Sequence, residues 1–354
     1  MANHRRAETH SDRALRESKQ REHEQDYTDP EKHYVRKHAW VPAAQARLDR
    51  LRGQGTAEYL RYFTLCAEKA IDVHLFDVQE SLVKFDGKGY PDVVFCECYP
   101  DQFEAIQTRL ERTTGILGYF EDLVLDESCE ESQLFTSELP FDIYNLDFTG
   151  VCFPRAEPPF SRTLDAIVTL VERLGQQSFQ KGFDIFLTFR AQRSQENEDA
   201  IRQLRDNVQD NRSQYDWFDE LFTGNYGNSI GTLARSSYHD FLLLSLPKFV
   251  GRFGERAGFR LTCPHRLCYA RPTAQHPQFY IVSFVLTFDW EGPDTTLQRS
   301  VRQSVPAHEA RTEAYLGMLR SLVQQNICNV GTTMFAREQY RQEVQDLVAL
   351  VEDF

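Results

Sequence analysis

The chain alternates short, nearly continuous apolar runs with stretches in which apolar residues recur every three or four positions, a pattern that predicts strands alternating with helices. Residues 62–66, 92–97, 115–120, 141–146 and 183–189 read as five strands. Between them, helical spacing falls on Ala70, Ile71, Val73, His74, Leu75 and Val78, then on Phe103, Ile106 and Leu110 within 101–111. It falls again on Leu164, Ile167, Val168 and Val171, behind a capping Ser161. Residues 62–78 also read as a single helix, and periodicity leaves both readings open. Further on, 194–222 look helical, 223–231 read as a loop or insertion, and a helix is expected over 241–257. Two last strands, 258–263 and 278–288, are joined by a Pro-containing connection short enough for an antiparallel pair.

This order predicts an α/β fold: a Rossmann-like, mostly parallel seven-stranded sheet with helices on both faces and an antiparallel last pair. Residues 40–300 would form that domain. Residues 301–354 form a helical C-terminal extension, with Leu316, Leu319, Val323, Val344, Leu347, Val348 and Val351 at helical spacing, packing on the sheet or on a protein partner. Residues 1–39 mix nine Lys/Arg with eight Asp/Glu, hold five of the ten histidines and have few aliphatic residues. They are expected to be a disordered or weakly helical arm, because such a segment buries too little apolar surface to fold alone. Its histidines lack the tight repeated spacing of a metal-ligand set.

Two of the strands echo each other, Phe141-Asp-Ile-Tyr-Asn-Leu-Asp-Phe-Thr-Gly150 and Phe183-Asp-Ile-Phe-Leu-Thr-Phe-Arg-Ala-Gln192, each apolar at first and polar at its carboxyl end. Open α/β sheets bind ligands outside the carboxyl ends of their strands, so these ends mark the expected site. Asn145 and Asp147 leave one face at period two, beside a turn at Thr149-Gly150, and an amide and a carboxylate converging there can orient or deprotonate a nucleophilic nitrogen. Arg190 and Gln192 alternate on the neighbouring strand. Arg190 is placed to grip a phosphate or carboxylate, or to pair with Asp147. Glu97 closes the second strand, where an acid can accept ribose hydroxyls or merely cap the turn at Pro100. The pair Glu121-Asp122 follows the third strand.

Composition narrows the chemistry. The net charge of −13 argues against nonspecific coating of nucleic acid. A local basic run, Lys248, Arg252, Arg256 and Arg260, recurs every fourth residue and reads either as a solvated helix face or as a ridge that follows phosphates. No apolar stretch is long enough to span a bilayer and the amino terminus is charged, so a cytoplasmic protein away from the membrane is expected. Eight dispersed cysteines fit reduced thiols. The phosphate loop, the serine nucleophile elbow, the zinc-protease helix and the glycine-rich dinucleotide turn are all missing from the sequence. Cys263-Pro-His265-Arg-Leu-Cys268 offers three metal ligands but no fourth, so no metal is expected.

The order of elements resembles the class I S-adenosylmethionine-dependent methyltransferase fold over about residues 58–290. The resemblance implies S-adenosylmethionine as cofactor, with Glu97 at its ribose, Glu121-Asp122 near its adenine and Cys66-Ala67-Glu68 beside its methionine end. It implies that Leu146-Asp147-Phe148-Thr149-Gly150 stands where amino-methylating members carry their acceptor loop. Asp147 would then orient the acceptor with help from Asn145, and Thr149, Arg190 and Gln192 would contact a substrate, nucleic acid among the candidates. The run Thr64-Leu-Cys66-Ala67-Glu68-Lys69 has no glycine where that family turns on one. A second reading is therefore a methyltransferase-like interaction subunit without cofactor. A third, a Mg2+-dependent nuclease built on Asp147 and Glu97, ranks last.

Overall fold

The computed structural model describes residues 29–78, 81–155, 161–176, 181–271, 279–291, 307–325, 327–333 and 337–352. Five parallel strands form one side of its sheet: β1 (Tyr62–Leu65), β2 (Val93–Glu97), β3 (Thr114–Leu117), β4 (Ile143–Val151) and β5 (Phe183–Ala191). They are apolar on both faces because helices cover both faces. The rest of the sheet comprises β6 (Phe259–Arg271), β7 (Phe279–Trp290) and the two-residue β8 (Cys328–Asn329), in the order β3-β2-β1-β4-β5-β7-β6-β8. Strand β7 runs antiparallel to both β5 and β6, while β8 pairs parallel to β6. The fold is thus α/β with a mostly parallel sheet, and an eighth strand joins the seven expected.

The helices are α1 (Pro30–Val35), continued by a π-helical stretch (Arg36–Trp40), α2 (Val41–Gly53), α3 (Ile71–Val78), α4 (Pro100–Arg109), α5 (Phe120–Leu125), α6 (Glu130–Glu138) and α7 (Arg162–Gln176). They continue as α8 (Glu198–Gln214), α9 (Asp216–Tyr226), α10 (Ile230–Ser236), α11 (Tyr238–Arg256), α12 (Ala307–Gln324), α13 (Val330–Thr333) and α14 (Arg337–Glu352). Helix α7 shows why such segments dock. Ser161 accepts the Leu164 N–H at its start, and Leu164, Ile167, Leu170, Val171 and Leu174 form a buried stripe. Helices α5, α7 and α11 pack on one face of the sheet, and α1, α2, α3 and α14 lie over the other.

Several local expectations change. The arm is outside the described residues up to position 28, but from Asp29 the chain is helical and largely buried. Asp29 caps α1, with Pro30 in its first turn and the Glu31 N–H on its carboxylate at 2.9 Å. The long loop expected at 223–231 shrinks to Gly227–Ser229, because α9 runs on to Tyr226. The segment Cys263 to Cys268 belongs to β6 rather than to a connection. The fourfold basic stripe does not exist as a helix face: α11 ends at Arg256, Gly258 turns the chain at a φ of +89°, and Arg260 lies on β6, paired with Glu291 at 3.1 Å. Lys248 is buried and donates to the Asn207 carbonyl, with burial holding its ammonium down at about 7. Arg252, Arg256 and Arg260 are exposed.

Pro247 sits inside α11 and has no N–H for the Leu243 carbonyl one turn back. That carbonyl instead accepts from the Arg266 guanidinium of β6 at 3.4 Å, so a side chain of the sheet satisfies the group the proline orphans.

Candidate functional site

The site arises from unequal strand lengths. Strand β1 last pairs with β4 at Thr64↔Asn145, whereas β4 continues to Val151. Beyond Asn145 one edge of β4 has no strand beside it, and the other slips register against β5 between Asp147 and Val151. Thr149 and Gly150, expected as a turn, are part of this irregular strand end. A bulge of this kind bends a strand and re-aims its side chains.

A cleft of about 460 Å³ opens over the carboxyl ends of β1, β2, β3 and β4, within the usual range of small-molecule sites, ~300–1,000 Å³. Its floor carries Cys66, Cys96 and Glu97, its near wall Tyr119 and Glu121, and its far wall Asp147, Phe148, Thr149 and Phe189. Phe148 and Phe189 stack at 5.1 Å with their planes 5° apart. Tyr119 stays 55% exposed, an aromatic face that folding leaves uncovered.

The acids of the cleft differ in how they are held. Glu97 is half-buried and accepts the Tyr99 N–H at 2.8 Å; burial raises its carboxyl, partly offset by that bond. Glu121 accepts from the Thr163 hydroxyl, because β3 stops at Leu117 and Glu121 opens helix α5 facing α7. Asp122 is turned away, paired with Arg162 at 2.6 Å and not among the residues lining the cleft. The thiols of Cys66 and Cys96 are pushed well above their ordinary range by burial, and that of Cys98 up to about 12. They are therefore protonated near neutrality and poor nucleophiles. No cluster of His, Cys, Asp and Glu suited to a metal occurs among the described residues.

Beneath the cleft lies a buried polar network. One Asp72 oxygen, Oδ2, accepts the Tyr62 hydroxyl at 2.6 Å, the Thr64 hydroxyl at 2.8 Å and the Asn145 amide at 2.9 Å. Asn145 is 1% exposed, so it braces β4 against β1 and α3 and does not reach the cleft. Asp147, two residues on and on the same face, meets the ammonium of Lys32 at 2.5 Å, with both side chains under a tenth exposed. Lys32 comes from α1, in the segment expected to be disordered. Its capping pattern Asp29-Pro30-Glu31 signals a helix start, but an arm poor in aliphatic residues hides it.

The structure therefore brings Cys66, Glu97, Glu121, Asp147 and Thr149 to one cleft. Ala67 and Glu68 sit in the turn behind Cys66, outside the lining. Arg190 lies over the Phe279 ring at 4.5 Å and makes no part of the cleft, nor does Gln192 after the end of β5. Lys32 and Thr163 went unread in the sequence because each acts through a neighbour distant along the chain, and Tyr119 because alternation does not show that folding leaves its ring uncovered. No family model matches the sequence, and a search of the curated proteins finds no match.

Proposed function

We propose that the chain is an S-adenosylmethionine-dependent methyltransferase of the class I fold, acting on an amine-bearing acceptor, with nucleic acid among the acceptors to be tried. The observation that carries this reading is the sheet order, with an antiparallel seventh strand inserted between β5 and β6 and a cleft over the ends of β1, β2 and β4. A cleft with a carboxylate at the end of the second strand and an uncovered aromatic at the end of the third suits a nucleoside: Glu97 for the ribose hydroxyls, Tyr119 and Glu121 for the base. Cys66 would border the methionine end. The cofactor supplies an electrophilic methyl on sulfur. Methyl transfer needs chiefly in-line positioning, and Asp147 is the residue placed to hold an acceptor nitrogen.

One observation favours the second reading, a scaffold without cofactor. The turn after β1 reaches a positive φ of 43° at Ala70, a conformation that suits glycine and is met here by a residue with a Cβ. Titration calorimetry with S-adenosylmethionine and S-adenosylhomocysteine separates the two. Binding by the purified chain that Glu97→Ala abolishes supports the enzyme; no binding, alone or with candidate acceptors, leaves the scaffold. The exposed Arg252, Arg256 and Arg260 are the place for a nucleic-acid partner, and the helices α12 and α14 for a protein partner. A binding assay across a salt series tests the first.

A further inference from the structure

The Lys32–Asp147 pair is unusual in its position. A buried ion pair contributes little net stability, because desolvation of both charges offsets their attraction, so its placement needs a reason beyond holding the fold. Here one partner is a carboxylate on the far wall of the cleft, and the other arrives from the chain's first described helix. That helix is held by the chain's last one: Lys37 reaches Glu343 at 2.8 Å, Arg337 reaches Glu31 at 3.0 Å, and His38 meets the Tyr340 hydroxyl at 2.7 Å. All three contacts are at least partly exposed, so they are weak and screened by salt. Behind these contacts His33, Val35, Arg36, Ala39 and Trp40 are buried, with Trp40 stacked on Phe186 at 5.6 Å, so the segment is anchored in the core and what can yield at Asp147 is the Lys32 side chain.

We propose that Asp147 is a receptor for a primary alkylammonium group, and that Lys32 occupies it intramolecularly until such a ligand takes the place of its side chain. The ligand chemistry is that of a lysine side chain or a small aliphatic amine. The proposal rests on the reading of Asp147 as the residue that holds the acceptor, and it narrows that acceptor to an alkylamine in place of the exocyclic amine of a base. It does not depend on cofactor binding.

Chemical rescue tests it. Lys32→Ala keeps the Cβ and removes the remaining methylenes and the ammonium, which propylammonium restores in size and charge. The variant is expected to melt about 5–10 °C below the wild type, since it strands a buried carboxylate. Propylammonium chloride should raise its melting temperature in a concentration-dependent way, beyond the effect of sodium chloride at equal ionic strength, and should do nothing comparable for Lys32→Ala/Asp147→Asn. Should Lys32→Ala not fold, amide exchange of residues 29–33 in the wild type reads the same event, and propylammonium must speed it more than sodium chloride does. A lysine-containing peptide and putrescine, run in parallel, distinguish a protein source from a small-molecule source by which acts at the lower concentration. Equal effects of amine and sodium salts in both assays would overturn the proposal. Because no cofactor is present, that result is separate from a failure of the calorimetric test above.

Discussion

The echoing strands β4 and β5 begin alike and end differently. Both have an aspartate second in the echo. Asp184 is fully buried against Arg47 at 2.9 Å, while Asp142 accepts the Arg61 N–H at 2.8 Å and stays partly exposed. At the carboxyl ends, β5 is laddered to β7 as far as Ala191↔Tyr280, so Thr188 bonds Ser283 at 3.1 Å and Arg190 lies on Phe279. Strand β4 outruns β1 and loses register with β5, and its last residues wall the cleft. Similar letters therefore give a sealed end and an open one, and what decides between them is how far the neighbouring strands extend.

The largest effect expected from breaking this comparison is at the amino ends. Asp184→Ala removes the carboxylate that the buried Arg47 guanidinium is hydrogen-bonded to, leaving it the longer contact to Asp289 at 3.9 Å, and should cost about 3–5 kcal/mol in urea denaturation. Asp142→Ala removes one bond to a backbone N–H and should cost about 1 kcal/mol. Equal losses at the two positions would mean that burial does not distinguish the echoed aspartates.

Next in size is a pH effect where the segments that follow the two strands meet. Glu196 is fully buried, takes the Phe153 N–H at 2.8 Å, and ties the segment after β4 to the one after β5. Burial pushes its carboxyl up to about 8, against the ordinary 4.5. The folded state thus keeps a proton that the unfolded chain releases, so stability is greatest below about pH 4.5 on this account and falls as pH rises toward 8, then levels. The drop should be on the order of a few kcal/mol. Glu196→Gln, neutral at every pH, should flatten that slope; a slope unchanged in the variant would show that Glu196 does not carry it.

The layout of strands and helices was legible in the sequence because a doubly covered parallel sheet writes long apolar runs and amphipathic helices write a period. The position of the cleft was legible for the same reason, since Glu97 and Asp147, which line it, stand where apolar runs turn polar. The partners were not. Lys32 reaches Asp147 across more than a hundred residues, Thr163 reaches Glu121 from another helix, and Asn145 is buried because Asp72, far from it in sequence, faces it. Alternation reports which face a side chain leaves from but not what waits there. The eighth strand was missed because two residues are too few to show any period.

A comparison of cleft and sealed end by ligand binding comes next in size. Glu97→Gln keeps shape and removes the charge that would accept ribose hydroxyls, so affinity for S-adenosylhomocysteine should fall about tenfold or more, as expected for a charged hydrogen-bond acceptor. The melting temperature should change little, because the Tyr99 N–H can still be accepted by the amide oxygen.

The smallest effect belongs to Arg190, which separates the two strand ends most cleanly. Its guanidinium covers the Phe279 ring, a contact worth about 0.5–2 kcal/mol, and it contributes nothing to the cleft lining. Arg190→Ala should therefore lower stability within that range while leaving ligand affinity at the wild-type value. Thermal melts and calorimetry on the same preparation read both quantities. A tenfold loss of affinity without loss of stability would transfer Arg190 to the site, and with it the distinction between an open β4 and a sealed β5 would fail.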